Sequence, residues 1–268
     1  MKALVAGVAL LCGTAALVLL SFVWLPYDPA VMDIPQRLAP PSWAHVFGTD
    51  IYGRDVFSNV VRAGRPSFEV AFFSLAIGAG AGIPMGLLAA TARGWPDEIL
   101  SRFNDVVFAF PALLIAVLVA SVYGPGVIDA VAAIGIFNIP VFARTTRTAA
   151  IGLWQRDYVL ASIAAGKGPT RIVLDHILPN LAPALIVQAA IQGSLAILAE
   201  AGLSYVGLGS QPPEPSWGRM LAGAQTLIES APWLAVFPGL AILSTTLALS
   251  LLADGLRDAL DPRRIGGR

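Results

Sequence analysis

The sequence predicts an all-α protein, a polytopic bundle of six transmembrane helices with both termini in the cytoplasm. Three observations carry that prediction. The chain is 56% hydrophobic and only 13% charged, with a mean hydropathy of +0.73, too little charge to cover a soluble domain of 268 residues. Six apolar stretches approach or exceed the roughly 20 helical residues needed to cross a hydrocarbon core. Lysine and arginine are shared unevenly between alternate connecting segments, which sets the orientation.

The first span covers 3–25 behind Lys2. It is longer than the apolar core of a signal peptide and no small-x-small cleavage site follows it, so it is expected to be retained. Its Cys12 is the single cysteine of the chain, too few for an internal disulfide or a thiolate metal site, and reads as a small packing residue. Residues 26–67 form an extracytoplasmic segment, rich in proline at Pro26, Pro29, Pro35, Pro40 and Pro41. Within it lies a polar run containing Gly48, Thr49, Asp50, Gly53, Arg54 and Asp55. Thr49 or Asp50 is suited to cap a short helix, and Arg54 to pair with Asp55.

The second span, 68–92, carries Gly78, Gly82 and Gly86 four residues apart, hence on one helical face. In lipid, small residues at that spacing let another helix approach closely. The third and fourth spans, 106–123 and 127–143, are separated by Gly124-Pro125-Gly126, a tight turn. A polar insert at 144–180 precedes the fifth span at 183–206. A loop at 207–232, the sixth span at 233–253 and a tail at 254–268 complete the chain. With the N-terminus inside, the inner segments hold twelve lysines and arginines against five outside, which are Arg37, Arg54, Arg62, Arg65 and Arg219. The insert then faces the cytoplasm. A formal net charge of zero gives no case for nucleic-acid binding.

Inside the insert, 157–165 is a good helix former dominated by alanine. Gly166, Gly168 and Pro169 break it. Thr170 is suited to cap a second helix running to Leu178, with Ile172, Val173, Ile177 and Leu178 as its apolar face, and Pro179 and Pro183 are expected to end it. An apolar face on the water side needs a cover, either a partner or the chain's own spans. Gly166-Lys167-Gly168 is no phosphate loop, because Ala161 stands where the leading glycine belongs. The two histidines, His45 and His176, fall on opposite sides of the membrane. No zinc pair or nucleophile elbow occurs, so no catalytic residue, metal or cofactor is expected.

Glu200 lies within the otherwise apolar fifth span, where an acidic residue is expensive and faces a cavity or a partner rather than lipid. It is either a lining or gating residue, together with Gln192 and Ser204, or an interhelical hydrogen-bond anchor. With Glu69 it also raises an ion-coupled secondary transporter as an alternative, although no internal repeat of the kind such folds carry is visible.

Three segments carry a resemblance. They are 45–55 with Ser58, Gly64 and Arg65; 157–180; and 203–218, with Gly207-Leu208-Gly209, Gln211-Pro212-Pro213 and Pro215-Ser216-Trp217-Gly218. Together, in order and from about residue 45 to the C-terminus, the chain resembles permease subunits of bacterial ATP-driven importers, in the dipeptide, oligopeptide and nickel branch. It departs from that pattern at Leu160-Ala161-Ser162, where the family often has Glu-Ala-Ala. The resemblance implies a type I importer permease in the bacterial inner membrane. It also implies a homologous second permease, two cytoplasmic ATPases that bind ATP and magnesium, and an extracytoplasmic binding protein that delivers small peptides, with glutathione or nickel as alternatives. Coupling to the ATPases would fall to Asp157, Tyr158, Leu160, Ala161, Ser162, Ala165, Gly166, Ile172, His176 and Pro179.

Overall fold

The computed structural model of the protein describes residues 2–92, 94–110 and 112–260. Arg93, Arg263, Arg264 and Arg268, counted above for orientation, lie outside the described residues, as does most of the 254–268 tail. Helices run at Lys2–Leu20 (α1), Val56–Ala92 (α2), Trp95–Ala109 (α3), Ala112–Tyr123 (α4), Val127–Trp154 (α5), Asp157–Ala164 (α6), Pro169–Ile172 (α7), Leu178–Tyr205 (α8), Trp217–Ala224 (α9) and Trp233–Leu260 (α10). Among the described residues the sole extended pairing is an isolated bridge between Thr49 and Asp55.

Five helices are long and apolar enough to cross a membrane, and the α3–α4 pair, bent by 85°, supplies a sixth if it counts as one span. The bend divides the stretch expected as a single helix at 106–123. Phe110, the residue before Pro111 in the sequence, is extended at φ −97°, ψ 127°, the region favoured for a residue that precedes proline. The helix before the bend, α3, is not simply apolar, since it carries Asp97, Glu98, Arg102 and Asp105 and buries only Leu100, Asn104 and Val107.

The packing is organised around α2 and α5. Gly78, Gly82 and Gly86 are all buried. A methyl group at Gly78 would strike Asn138, at Gly82 the backbone of Ile139 and Phe142 Cβ, and at Gly86 the carbonyl of Ala143 and Thr146 Cβ. The glycine face anticipated from spacing is therefore filled by α5 of the same chain and offers nothing to a partner subunit. A second close approach joins α1 to α10, where Gly7 meets Ala248 and Leu252 while Gly255 meets Leu4. Cys12 is exposed on α1, so it is not the packing residue its small size suggested.

Two boundaries move from their expected places. The helix expected from 68 begins at Val56, because Asp55 caps it: its Oδ2 accepts the backbone N–H of Ser58 at 2.7 Å. The segment between α1 and α2 therefore ends at Asp55, and no short helix starts at Thr49 or Asp50. Further on, Pro179 and Pro183 do not end the second helix of the insert. A π-helical turn at Val173–Ile177 carries the chain directly into α8, with Leu178 N donating to Val173 O and Asn180 Nδ2 covering His176 O at 2.6 Å. Pro179 then sits in the first turn of α8, where a missing N–H leaves no bond unmade.

Candidate functional site

The insert forms a helical hairpin at one end of the bundle. Asp157–Ala164 closes in a Schellman arrangement: Gly166 takes φ +81°, its N–H bonds to Ile163 O at 2.9 Å, and Lys167 N bonds to Ser162 O at 3.1 Å. Glycine adopts that φ without strain, so the corner belongs to Gly166. The second helix starts two residues earlier than expected, since Gly168 occupies the cap and Pro169 the first position. Thr170 caps nothing.

Three side chains pin the hairpin to the bundle. Val159, Ile172 and Ile177 are buried at 0%, 1% and 0% exposure, in a cluster with Ala90, Phe142, Ala150 and Leu181. Ile172 thus belongs to the support and not to any face a partner could touch. The opposite side is left uncovered, with Tyr158, Leu160 and Ile163 exposed at 42%, 51% and 47%. Asp157, Ala161, Ala165 and Gly166 lie beside them, and Pro179 is exposed in the first turn of α8. His176 sits between the arms, its Nε2 3.1 Å from Ser162 Oγ and 3.2 Å from Lys167 Nζ. Lys167 also pairs with Asp175 at 3.0 Å, which ties the corner to the π turn.

The far end is built differently. Residues 26–55 fold over the starts of α2 and α10, fastened by polar contacts. Thr49 Oγ1 donates to Gln36 O and accepts from Ala39 N at 2.8 Å. Trp233 Nε1 donates to Thr49 O at 3.2 Å. Asp55 pairs with buried His45 at 2.9 Å rather than with Arg54, which instead joins Asp50 at 2.7 Å. Gly48 and Gly53 both take φ +74°, and at Gly53 a side chain would also collide with Asp33 O. The loop after α8 closes on the same surface. Arg62 donates to both Glu214 carboxylate oxygens, at 3.2 and 2.7 Å, and Trp217 Nε1 donates to Val60 O at 2.8 Å. The Arg62 guanidinium holds the Glu214 carboxyl below the usual carboxylate range.

All three pathway candidates are enclosed. Glu200 has 0% exposure and Ser204 1%. Glu200 accepts hydrogen bonds from Ser67 Oγ at 2.5 Å and Ser204 Oγ at 2.6 Å, and Ser204 Oγ accepts Ser210 N at 3.1 Å. Gln192, 4% exposed, donates to Asn138 Oδ1 at 3.1 Å. Of the two readings of Glu200, this arrangement is the interhelical anchor: it knots α2, α8 and the loop beyond α8 together. Sequence reasoning missed the Arg62–Glu214 pair, whose partners are 152 residues apart, and Val159 as a pin, since one valine in an alanine-rich octet signals no direction.

Comparison with known proteins places this geometry. The sequence model of the binding-protein-dependent transport system inner membrane component matches residues 82–266. The dipeptide transport system permease protein DppC of Alkalihalophilus pseudofirmus is 41% identical over 228 residues, covering 85% of this chain and 75% of that protein. The glutathione transport system permease protein GsiD of Pectobacterium atrosepticum is 40% identical over 262 residues, covering 96% and 87%. Among solved structures, an inward-facing conformation of the MetNI methionine ABC transporter superposes with a TM-score of 0.60 at 19% identity, over 75% of this chain and 95% of that one. At that identity the likeness concerns the fold.

Proposed function

The chain belongs to the family of binding-protein-dependent transport system inner membrane components, a membrane permease subunit of the ABC type, and we propose that its hairpin is the part a separate ATPase moves. The observation that carries this is the division of α6 into a buried pin, Val159, and an uncovered apolar face, Tyr158, Leu160 and Ile163. Adjacent apolar side chains left exposed outside the membrane mark a contact surface. Here the bundle covers one side of the helix and leaves the other bare.

The hairpin then faces the cytoplasm, in accord with its lysines and arginines, in a bacterial inner membrane with both termini inside. Two ATPases that bind ATP and magnesium, a homologous second permease and an extracytoplasmic binding protein complete the transporter, and this chain performs no catalysis. The substrates are small peptides, in keeping with the dipeptide permease among its relatives; the glutathione permease keeps that tripeptide within the class. A rigid helix with a Schellman corner, continuous through the π turn with α8, transmits a push from the ATPase into the span that carries Glu200. Leu160 stands where the family often has glutamate, so docking in this chain is apolar at that point.

ATP-driven dipeptide uptake by the reconstituted complex tests the proposal. Replacing Leu160 and Ile163 together by aspartate is expected to abolish uptake while the permease still inserts and assembles with its second permease. Undiminished ATP-driven uptake by that variant would refute the role given to the hairpin.

A further inference from the structure

At the far end, a cavity of about 670 Å³ opens between the 29–54 segment and the 212–227 loop. That volume lies within the range of sites for small organic ligands. Its floor is apolar, formed by Val56, Met220, Leu227 and Leu234, and its wall brings together Arg54, Arg62 and Arg219 with Asp50 and Glu214. The charges do not balance. Asp50 is taken up by Arg54 at 2.7 Å, with its Oδ1 also accepting Tyr52 N and Arg54 N at 2.8 and 2.9 Å. Both oxygens of Glu214 are taken up by Arg62. Among the described residues Arg219 meets no carboxylate within ion-pair distance; its guanidinium donates from Nη1 to the Glu214 backbone carbonyl at 3.1 Å. Burial and the positive charge of Arg54 both disfavour its protonated form.

We propose that this cavity is a binding site for the carboxylate of a small apolar acid, such as the C-terminal end of a short peptide, with Arg219 as its counter-charge. A guanidinium fork is matched to a carboxylate, and an anion placed there relieves the repulsion between Arg219 and Arg54. The occupied state of Asp50 and Glu214 leaves no acidic group to greet an amine, so the site reads the acid end and the apolar side chain, not the amino end. The inference rests on the importer reading only for where the peptide comes from, not for the site itself.

The probe is N-acetyl-leucyl-leucine against its C-terminal amide, titrated into the full-length chain in lipid nanodiscs without binding protein or ATPase, with binding followed by ligand-observed magnetic resonance. The free acid is expected to bind at least about tenfold more tightly than the amide. Arg219→Gln is expected to remove that preference, Arg219→Lys to restore part of it, and Met220→Trp, which fills the floor, to weaken both ligands. Equal binding of acid and amide by the unaltered chain, or a preference that survives Arg219→Gln, would overturn the site. So would a failure of both ligands to bind. None of these outcomes bears on coupling through the hairpin, which the uptake experiment with the Leu160 and Ile163 variant decides separately.

Discussion

The two ends of the bundle are held by different chemistry. At the far end, the 26–55 segment and the loop after α8 are fastened by ion pairs, indole donors and buried hydroxyls, and glycines sit where a side chain would strike backbone. At the hairpin end three apolar pins hold two short helices, and the opposite face is bare. Directional bonds fix one geometry, whereas apolar packing tolerates small sliding as long as area stays buried. The far end is therefore fixed by directional bonds, and the role proposed for the hairpin is to move as a unit with α8.

The sharpest way to break this contrast is to attack the frame between the ends. Gly82→Ile would drive α2 from α5, where even one added carbon meets Phe142 Cβ at 2.8 Å. Overpacking of this kind costs about 1–3 kcal/mol or more, so the melting temperature in detergent should fall most for this variant. Next, His45→Ala leaves Asp55, 4% exposed, without its side-chain partner. A loss of about 1–3 kcal/mol is expected at the far end, read as faster proteolysis of the 26–55 segment with hairpin accessibility unchanged.

A finer cut compares neighbours within α6. Val159→Ala opens a void in the apolar cluster and should destabilise by about 1–2 kcal/mol. Leu160→Ala, on the bare face, should shift stability by less than about 0.5 kcal/mol yet reduce ATP-driven uptake. Equal loss of stability in both would erase the distinction between pin and face. The smallest effect concerns Glu214. Its folded pKa is held below the unfolded one by Arg62, so the pair contributes stability above the unfolded value and loses it as pH falls through the depressed one. Glu214→Gln should therefore be slightly less stable than the parent at neutral pH, and the difference should vanish in acid.

Much of the fold was legible because lipid imposes simple requirements. Span number, the Gly124 turn, the break at Gly166 and a close helix approach at Gly78, Gly82 and Gly86 all follow from length, special backbone conformations and residue size. Which helix fills the glycine face was not legible, since spacing shows that a face is small and not what lies against it. Pro179 misled because proline ends a helix only where its N–H is needed; after a π turn it is not. The 106–123 stretch looked like one helix because apolar content survives a bend of 85°. At the candidate site the residues of the hairpin were found by their pattern, but their division into inward and outward sides needed three-dimensional packing. The Arg62–Glu214 pair of the far end was invisible for the same reason, joining residues 152 positions apart.

Single-cysteine cross-linking in the assembled transporter tests the hairpin most directly. In a Cys12→Ser background, Leu160→Cys and Ile163→Cys should form cross-links to the ATPase subunit, and Val159→Cys should not. Cross-links from position 160 only to the chain's own helices, or labelling of that position by a reagent confined to the periplasm, would contradict the account.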